Sequence, residues 1–195
     1  GQVVFAMKDV VHQLRTQKQK VTPLLFLMNL RESYPQFKQK QQDGIYAQQD
    51  AFECVLHLIR CFKRLPLIDT HPVAPGTNAI EQLLQGQLVS TTKCMDAPDE
   101  EPLIRQEPFV TLHCHIDQKV SFLYQGVNLA LNSTLVKKSS SLGTDANYSV
   151  TTRIDQLPYY LIVHFVRFEW KKSGENKGLR TKILRPVEFP FEFDT

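Results

Sequence analysis

The chain has 195 residues, of which 42% are hydrophobic and 22% are charged, as in an ordinary globular domain. A chain of this length buries enough surface to fold without a disulfide or a metal. Its 23 Lys and Arg against 20 Asp and Glu leave a net charge of +3, and no basic block is present, so charge supports neither nucleic acid nor membrane as a partner.

The first 65 residues predict three helices. Apolar residues at helical spacing define the first, which ends in the polar run 13–20: Val3, Met7, Val10, Val11 and Leu14. Thr22 as N-cap and Pro23 in the first turn predict the start of the second, which stops at Tyr34-Pro35. After a polar loop at 38–44, a broad apolar stripe predicts the third: Ala51, Cys54, Val55, Leu58, Ile59 and Phe62.

Beyond a Pro- and Gly-containing linker or crossing loop at 66–79, the pattern changes to period two. This alternation predicts strands at 88–92, 109–116, 127–131, 159–170 and 187–193. A polar loop is predicted at 139–147, and a charged hairpin loop at 171–178. Because helices precede strands without βαβ alternation, the sequence predicts the α+β class.

The segment from Gly44 to Cys54 is the sharpest local feature. Asp50, followed by Glu53 three residues later, is typical of a capping box that starts the third helix. Capping does not explain the two glutamines, Gln48 and Gln49, that precede the cap. The pattern therefore favours capping and leaves a binding role open.

Two histidine-containing segments have structural explanations. A buried hairpin accounts for residues 157–168, with His164 as a packed core residue and Arg167 paired to a carboxylate. In the other segment, alternation places His113 and His115 on one face of a strand and Cys114 on the other. Structural zinc sites pair their ligands in close spacing. Cys94 has no such neighbour, so a zinc site is disfavoured.

The four cysteines lack a disulfide-framework spacing, and no secretory leader opens the sequence. We therefore expect reduced thiols and a cytoplasmic or nuclear location. Cys54 and Cys61 fall on the inner stripe of the third helix and are interpreted as packing residues. The apolar runs at 23–28 and 159–163 are too short to span a membrane.

Two motifs, in this order and at this separation, resemble the ubiquitin-specific protease family of deubiquitinases. Residues 48–53 resemble its Q-Q-D-x-x-E box, and residues 157–168, then 182–183 and 187–190, resemble its L-P-x-x-L…R-F…K-I…V-x-F-P signature. The first helical third, including Tyr34-Pro35-Gln36-Phe37, is similar to the proteasome-associated branch, as are 80–94 and 112–126. The resemblance covers nearly the whole chain.

The resemblance implies a papain-like cysteine protease fold, present in part. It assigns a helical thumb portion to 1–65, the linker to 66–79, antiparallel fingers strands to 80–156 and the start of the palm sheet to 157–195, all within one catalytic domain. The family's Cys box and His box are expected outside these residues, so no catalytic residue is assigned here and Cys54 is not a nucleophile. The similar branch lacks the zinc site, so we expect no metal and no cofactor.

The implied activity is ubiquitin carboxyl-terminal hydrolysis, in which a cysteine thiolate attacks the carbonyl of ubiquitin's last glycine. Ubiquitin and ubiquitinated proteins are the implied partners, and the proteasome is a further one. Asp50 and Glu53 would bind arginines of ubiquitin's extended tail, and the amides of Gln48 and Gln49 would bind its backbone.

The resemblance also implies that Phe168 and Trp170 anchor the tail, at the base of a loop (169–180) that moves before substrate enters. Core packing explains the two aromatic residues equally well. Two other functions stay open for the chain. A catalytically dead module would bind ubiquitin without cleaving it, and a scaffold domain would not bind it at all.

Overall fold

The computed structural model describes residues 1–65, 78–117, 119–170 and 180–192, with the backbone alone at 169, 170 and 180. It divides the chain into two units, residues 1–80 and 81–195. Most of the predicted linker and the predicted hairpin loop at 171–178 lie outside the described residues.

Helices form the first unit and confirm the three that the sequence predicts. They are α1 (Gln2–Thr16), α2 (Leu24–Ser33) and α3 (Ala51–Phe62), with a 3-10 helix at Pro35–Lys38 and a short α4 (Ala79–Leu84). Val3, Leu30 and Phe37 form the buried core of this unit, against which the inner stripe of α3 packs. No helix in the described ranges is long and apolar enough to cross a membrane.

Two details of these helices differ from the prediction. The N-cap residue of α2 is Pro23 rather than Thr22, and no side chain caps this helix. The Thr22 backbone carbonyl accepts the N–H of Leu24 instead, at 3.0 Å. On α1, the predicted face is buried only near its start, because Leu14 is 64% exposed while Val3 is buried in the core.

The second unit contains a four-stranded antiparallel sheet in the order β2-β1-β5-β4. Its strands are β1 (Gly86–Cys94), β2 (Leu103–Phe109), β4 (Asn132–Lys138) and β5 (Asp145–Gln156). This sheet confirms the antiparallel strands that the resemblance implies. The sequence pattern missed three of its strands, because β4 is exposed along its whole length, β2 is exposed up to Phe109, and in β5 only Ala146 and Tyr148 are buried. The loop predicted at 139–147 accordingly ends earlier, since β5 begins at Asp145.

The remaining elements of this unit are two strand pairs and a helix. Parallel β3 (Leu112–His115) and β6 (Val163–Val166) form one pair, and antiparallel β7 (Phe168–Trp170) and β8 (Arg180–Lys182) the other. Helix α5 (Leu123–Leu131) packs on β3. Their buried residues form the main core together with Phe109 of β2: Leu112, Cys114, Leu123 and Val127.

Several strand predictions are wrong in detail. Residues 127–131, predicted as a strand, are the second half of α5. The Gln125 side chain starts this helix by accepting the N–H groups of Ser121 (2.8 Å) and Phe122 (3.1 Å). Of the strand predicted at 109–116, residues 112–115 form β3 and Phe109 is the last residue of β2. The strand predicted at 159–170 is two strands, β6 and β7, and begins only at Val163. In the described part of 187–193, only Glu188 bridges a neighbour, Phe122.

Hydrogen bonds to the carboxylate of Glu100 lie at the end of the four-stranded sheet at which β1 and β4 finish. Glu100, in the loop after β1, accepts the hydroxyl hydrogen bonds of Ser139 and Tyr148, the latter at 2.6 Å. Ser139 and Tyr148 are each 2% exposed. The bond from Ser139, then that from Tyr148, lowers the pKa of Glu100 to about 2. The same bond to Glu100 raises the pKa of Tyr148 to about 12.

We expect Glu100→Gln to lower the thermal midpoint at pH 7. The folded pKa of Glu100 lies below its ordinary value of 4.5, so the carboxylate stabilises the fold above that pH. Its contribution is lost as the pH falls from about 4.5 toward about 2. Thermal midpoints measured from pH 7 to pH 2 should therefore fall less steeply for the variant than for the wild type.

The exposed neighbour Glu101 provides the matched control, and Glu101→Gln should leave the midpoint and its pH dependence unchanged. A Glu100→Gln protein that melts like the wild type at pH 7 would contradict the stabilising role of this carboxylate.

Candidate functional site

A fixed hairpin leads into α3. The backbone N–H of Gln41 donates to the Ile45 carbonyl at 2.8 Å, and Lys40 pairs with Tyr46 across the turn. Gly44 has φ +81°, which a residue without a Cβ adopts readily. The guanidinium of Arg31 lies 3.6 Å from the centre of the Tyr46 ring. These contacts fix the chain immediately before the two glutamines.

Gln48 is exposed and Gln49 is half-buried. Within the described ranges, neither side-chain amide makes a hydrogen bond to another residue. Each amide offers two donor hydrogens and an acceptor oxygen. The arrangement is therefore suited to an extended peptide backbone, and the predicted role of these two residues stays a prediction.

Asp50 caps α3, as the sequence predicts. Its backbone is extended, and its Oδ1 accepts the N–H groups of Phe52 at 2.8 Å and Glu53 at 3.4 Å. A helix start leaves these N–H groups without backbone partners, so the side chain replaces the missing acceptors.

Glu53 departs from the predicted capping box. Its side chain is 46% exposed, and its Oε1 lies 3.4 Å from the Nε2 of Gln36 and 3.7 Å from the Nε2 of His57. Among the contacts of the described residues, the carboxylate thus turns toward Gln36 and His57 rather than back to the Asp50 backbone. Both neighbours lie beside the Glu53 carboxylate because Gln36 is on the adjacent 3-10 helix and His57 is one turn further along α3.

Sequence reasoning assigned no role to Gln36 or His57. The two lie 17 and 4 residues from Glu53 along the chain, on the 3-10 helix and on α3. The available signal was the i, i+4 spacing of Glu53 and His57, which places the two side chains on one face of a helix.

The two predicted aromatic anchors lie in the second unit, on β7. Phe168 is 43% exposed and pairs with Lys182, while the backbone of Trp170 pairs with Arg180. The side chain of Trp170 and most of the loop at 169–180 lie outside the described residues. Their role against a bound tail therefore stays a prediction.

Within the described ranges, Arg167 donates to backbone carbonyls rather than to the carboxylate that the sequence predicts. Its Nη1 donates to the backbone carbonyls of Arg185 at 2.8 Å and Ile183 at 3.5 Å. Residues 183–187 form no strand, so their carbonyls need other donors, and Arg167 supplies one. His164 is half-buried, and its Nδ1 lies 3.2 Å from that of His113. Burial, then the nearby charge of His115, lowers the pKa of His113.

Each of the four cysteines lies in or against a hydrophobic core cluster. Burial raises the pKa of Cys54 and of Cys114, the latter against an opposing effect of Arg167. Cys61 shares a hydrogen bond with the Tyr34 hydroxyl at 3.0 Å, which is the main reason that the pKa of Tyr34 is raised. Cys54 and Cys61 pack against the core of the first unit, as predicted.

The residues weighed for a zinc site lie on different sheets. Cys94 ends β1 of the four-stranded sheet, and His113 and His115 lie on β3. No group of three His, Cys, Asp or Glu side chains in the described ranges is arranged to hold a metal ion.

The sequence profile of the ubiquitin carboxyl-terminal hydrolase family matches residues 1–195, which is the whole of this chain. The chain belongs to the ubiquitin carboxyl-terminal hydrolase family. This membership confirms the resemblance on which the site residues were predicted.

Curated members of the family match most of the chain. Ubiquitin carboxyl-terminal hydrolase 6 of Schizosaccharomyces pombe is 41% identical over 89% of this chain and 35% of the relative. Ubiquitin carboxyl-terminal hydrolase 6 of Arabidopsis thaliana is 35% identical over 98% of this chain and 38% of the relative. Ubiquitin carboxyl-terminal hydrolase 14 of Caenorhabditis elegans is 30% identical over 97% of this chain and 35% of the relative. The chain therefore spans 35–38% of the length of these relatives.

A solved structure shares the fold. It is the SAGA Ubp8/Sgf11/Sus1/Sgf73 DUB module bound to ubiquitin aldehyde, with a TM-score of 0.69 and 20% sequence identity. The match covers 97% of this chain and 41% of that chain. This likeness confirms the predicted α+β, papain-like fold class.

We expect that the 195-residue chain alone is not labelled by ubiquitin that carries a C-terminal thiol-reactive group. A reactive thiol needs an exposed, electropositive setting, whereas Cys54 and Cys61 are half-buried and Cys94 and Cys114 are buried. Intact mass measurement after incubation checks this, with the full-length protein as the positive control. An adduct mapped to any of the four cysteines would place a nucleophile within this chain.

Proposed function

We propose that this chain is a ubiquitin-recognition part of a ubiquitin carboxyl-terminal hydrolase, in which Asp50 and Glu53 bind arginines of ubiquitin's tail. The observation that carries the proposal is the placement of the Glu53 carboxylate. It stands half-exposed at the first turn of α3, and the capping of the helix does not use it. A capping role alone therefore leaves the position of Glu53 unexplained.

The chemistry of the two carboxylates matches a guanidinium. An arginine presents its N–H groups in a planar fork that pairs with carboxylate oxygens, and such charge-assisted bonds are about twice as strong as neutral ones. Gln48 and Gln49, just upstream, would then bond the backbone of the same extended tail.

The catalytic step is proposed for the full-length protein. A cysteine thiolate there attacks the carbonyl carbon of ubiquitin's last glycine, and a histidine donates a proton to the departing amine, leaving a thioester. Water, deprotonated by the same histidine, then releases ubiquitin and restores the thiol. The residues of this chain hold the tail in place for that step. Holding the reacting groups in the right geometry lowers the barrier to the reaction.

The proposed partner rests on the resemblance of residues 34–37, 80–94 and 112–126 to the proteasome-associated branch, and the proposed location rests on the cysteine pattern. On these grounds we also propose that the full-length protein associates with the proteasome and acts in the cytoplasm or the nucleus. Co-purification of proteasome subunits with the tagged protein tests the association.

We expect Asp50→Asn and Glu53→Gln to weaken the affinity of the full-length protein for ubiquitin while barely changing its thermal midpoint. Asn caps a helix about as well as Asp, and both substitutions keep shape and remove charge. Breaking a buried charge pair costs about 2–5 kcal/mol. Because the Glu53 side chain is 46% exposed, its loss should lie near the lower end, about 2 kcal/mol.

Calorimetric titration with ubiquitin and thermal melting, run side by side, measure the two quantities. Affinity that is unchanged in both variants would reduce the pair to a helix cap. A full-length protein that binds ubiquitin but does not cleave it would be a catalytically dead module, and one that does not bind at all would be a scaffold.

A further inference from the structure

One side-chain amide links the proposed tail-binding carboxylate to the core of the first unit. The Nε2 of Gln36, on the 3-10 helix, lies 2.7 Å from the Nε2 of His57 and 3.4 Å from the Oε1 of Glu53. An amide NH₂ group carries two hydrogens, so it donates one to each neighbour. Gln36 therefore ties Glu53 to His57.

The two neighbours fix the orientation of this amide. If the amide were rotated by half a turn, its oxygen would face the Glu53 carboxylate oxygen at 3.4 Å, and the two would repel each other. With Nε2 in that place, the Nε2 of His57 must accept, and the ring proton is on Nδ1. Because its Nε2 accepts from Gln36, His57 donates no hydrogen bond from that atom to Glu53.

His57 is itself held firmly. Its ring centre lies 4.1 Å from that of Tyr34 and 5.7 Å from that of Phe37, and its side chain is only 12% exposed. Its Nδ1 is buried without a hydrogen-bond partner in the described part of the chain. A buried N–H without a partner costs about 1–3 kcal/mol. An apolar ring would fill the same space without this cost. Packing alone therefore does not account for a histidine at this position.

We infer that Gln36 and His57 are positioning residues, which hold the Glu53 carboxylate in one place and keep its charge available for an arginine side chain of the bound protein. This inference rests on the proposed function and deepens it. A glutamate at a helix surface otherwise loses its conformational freedom at the moment of binding. Because Gln36 orders the carboxylate beforehand, that part of the cost falls on folding rather than on binding.

The test compares Gln36→Met in the full-length protein with Gln39→Met. Met keeps the length of the side chain and removes both donors, and the exposed Gln39 of the same segment is the matched control. Affinity is measured for ubiquitin and for ubiquitin whose tail arginines are replaced by alanine. We expect Gln36→Met to weaken binding of the first about three- to tenfold, as for one lost hydrogen bond. For the second, Gln36→Met and Gln39→Met should bind alike.

A second variant, His57→Phe, keeps a ring between Tyr34 and Phe37 and removes the acceptor that orients Gln36. A loss of about two- to threefold, again confined to ubiquitin with its arginines, supports the positioning role. An equal loss with both ubiquitins would assign Gln36 to general folding and overturn the inference.

Glu53→Gln in the same series distinguishes a failure of this inference from a failure of the proposed function. If Glu53→Gln weakens binding while Gln36→Met behaves like Gln39→Met, the inference fails and the proposed function stands. If Glu53→Gln has no effect, the tail-binding role of Glu53 fails, and the inference fails with it.

Discussion

The cap of α3 determines the geometry of the candidate site. Because the Oδ1 of Asp50 accepts the Phe52 N–H at 2.8 Å, the chain changes from extended to helical at that residue and not earlier. Glu53 then falls on the first turn and His57 one turn later on the same face. The same start turns the buried Ile59 inward. A start shifted by one residue would rotate each of these side chains by about 100° around the helix.

Under the proposed function, one short motif at the cap would serve both folding and binding. A helix N-terminus carries partial positive charge, so carboxylates there stabilise the helix. The same field opposes a bound cation, and a single carboxylate already engaged with backbone N–H groups would attract an arginine weakly. A second carboxylate, that of Glu53, would add to the attraction. Under the proposed function, the departure of Glu53 from the capping box is therefore the feature that favours binding of an arginine at a helix start.

The sequence predicted the elements whose signal is local. The three helices of the first unit have strong periodicity, and the cap at Asp50 is a short-range pattern. The strands β2, β4 and β5 were not predicted because most of their side chains are not buried, so no sustained alternation of apolar residues marks them. Helix α5 was taken for a strand because a short apolar run fits either structure. The partners of Glu53 were missed because Gln36 lies 17 residues away, a contact that only the fold creates.

At the end of the four-stranded sheet where β1 and β4 finish, hydrogen bonds hold two loops together. Cys94 lies opposite Tyr148 in the register of β1 and β5, and the two pack together with Ala146. Beside them, the Glu100 carboxylate joins the loop after β1 to the turn between β4 and β5 through Ser139 and Tyr148. Both hydroxyls donate to one ionised group, and such bonds are stronger than neutral ones. A loop junction built this way depends on the charge of one carboxylate, so acid weakens it.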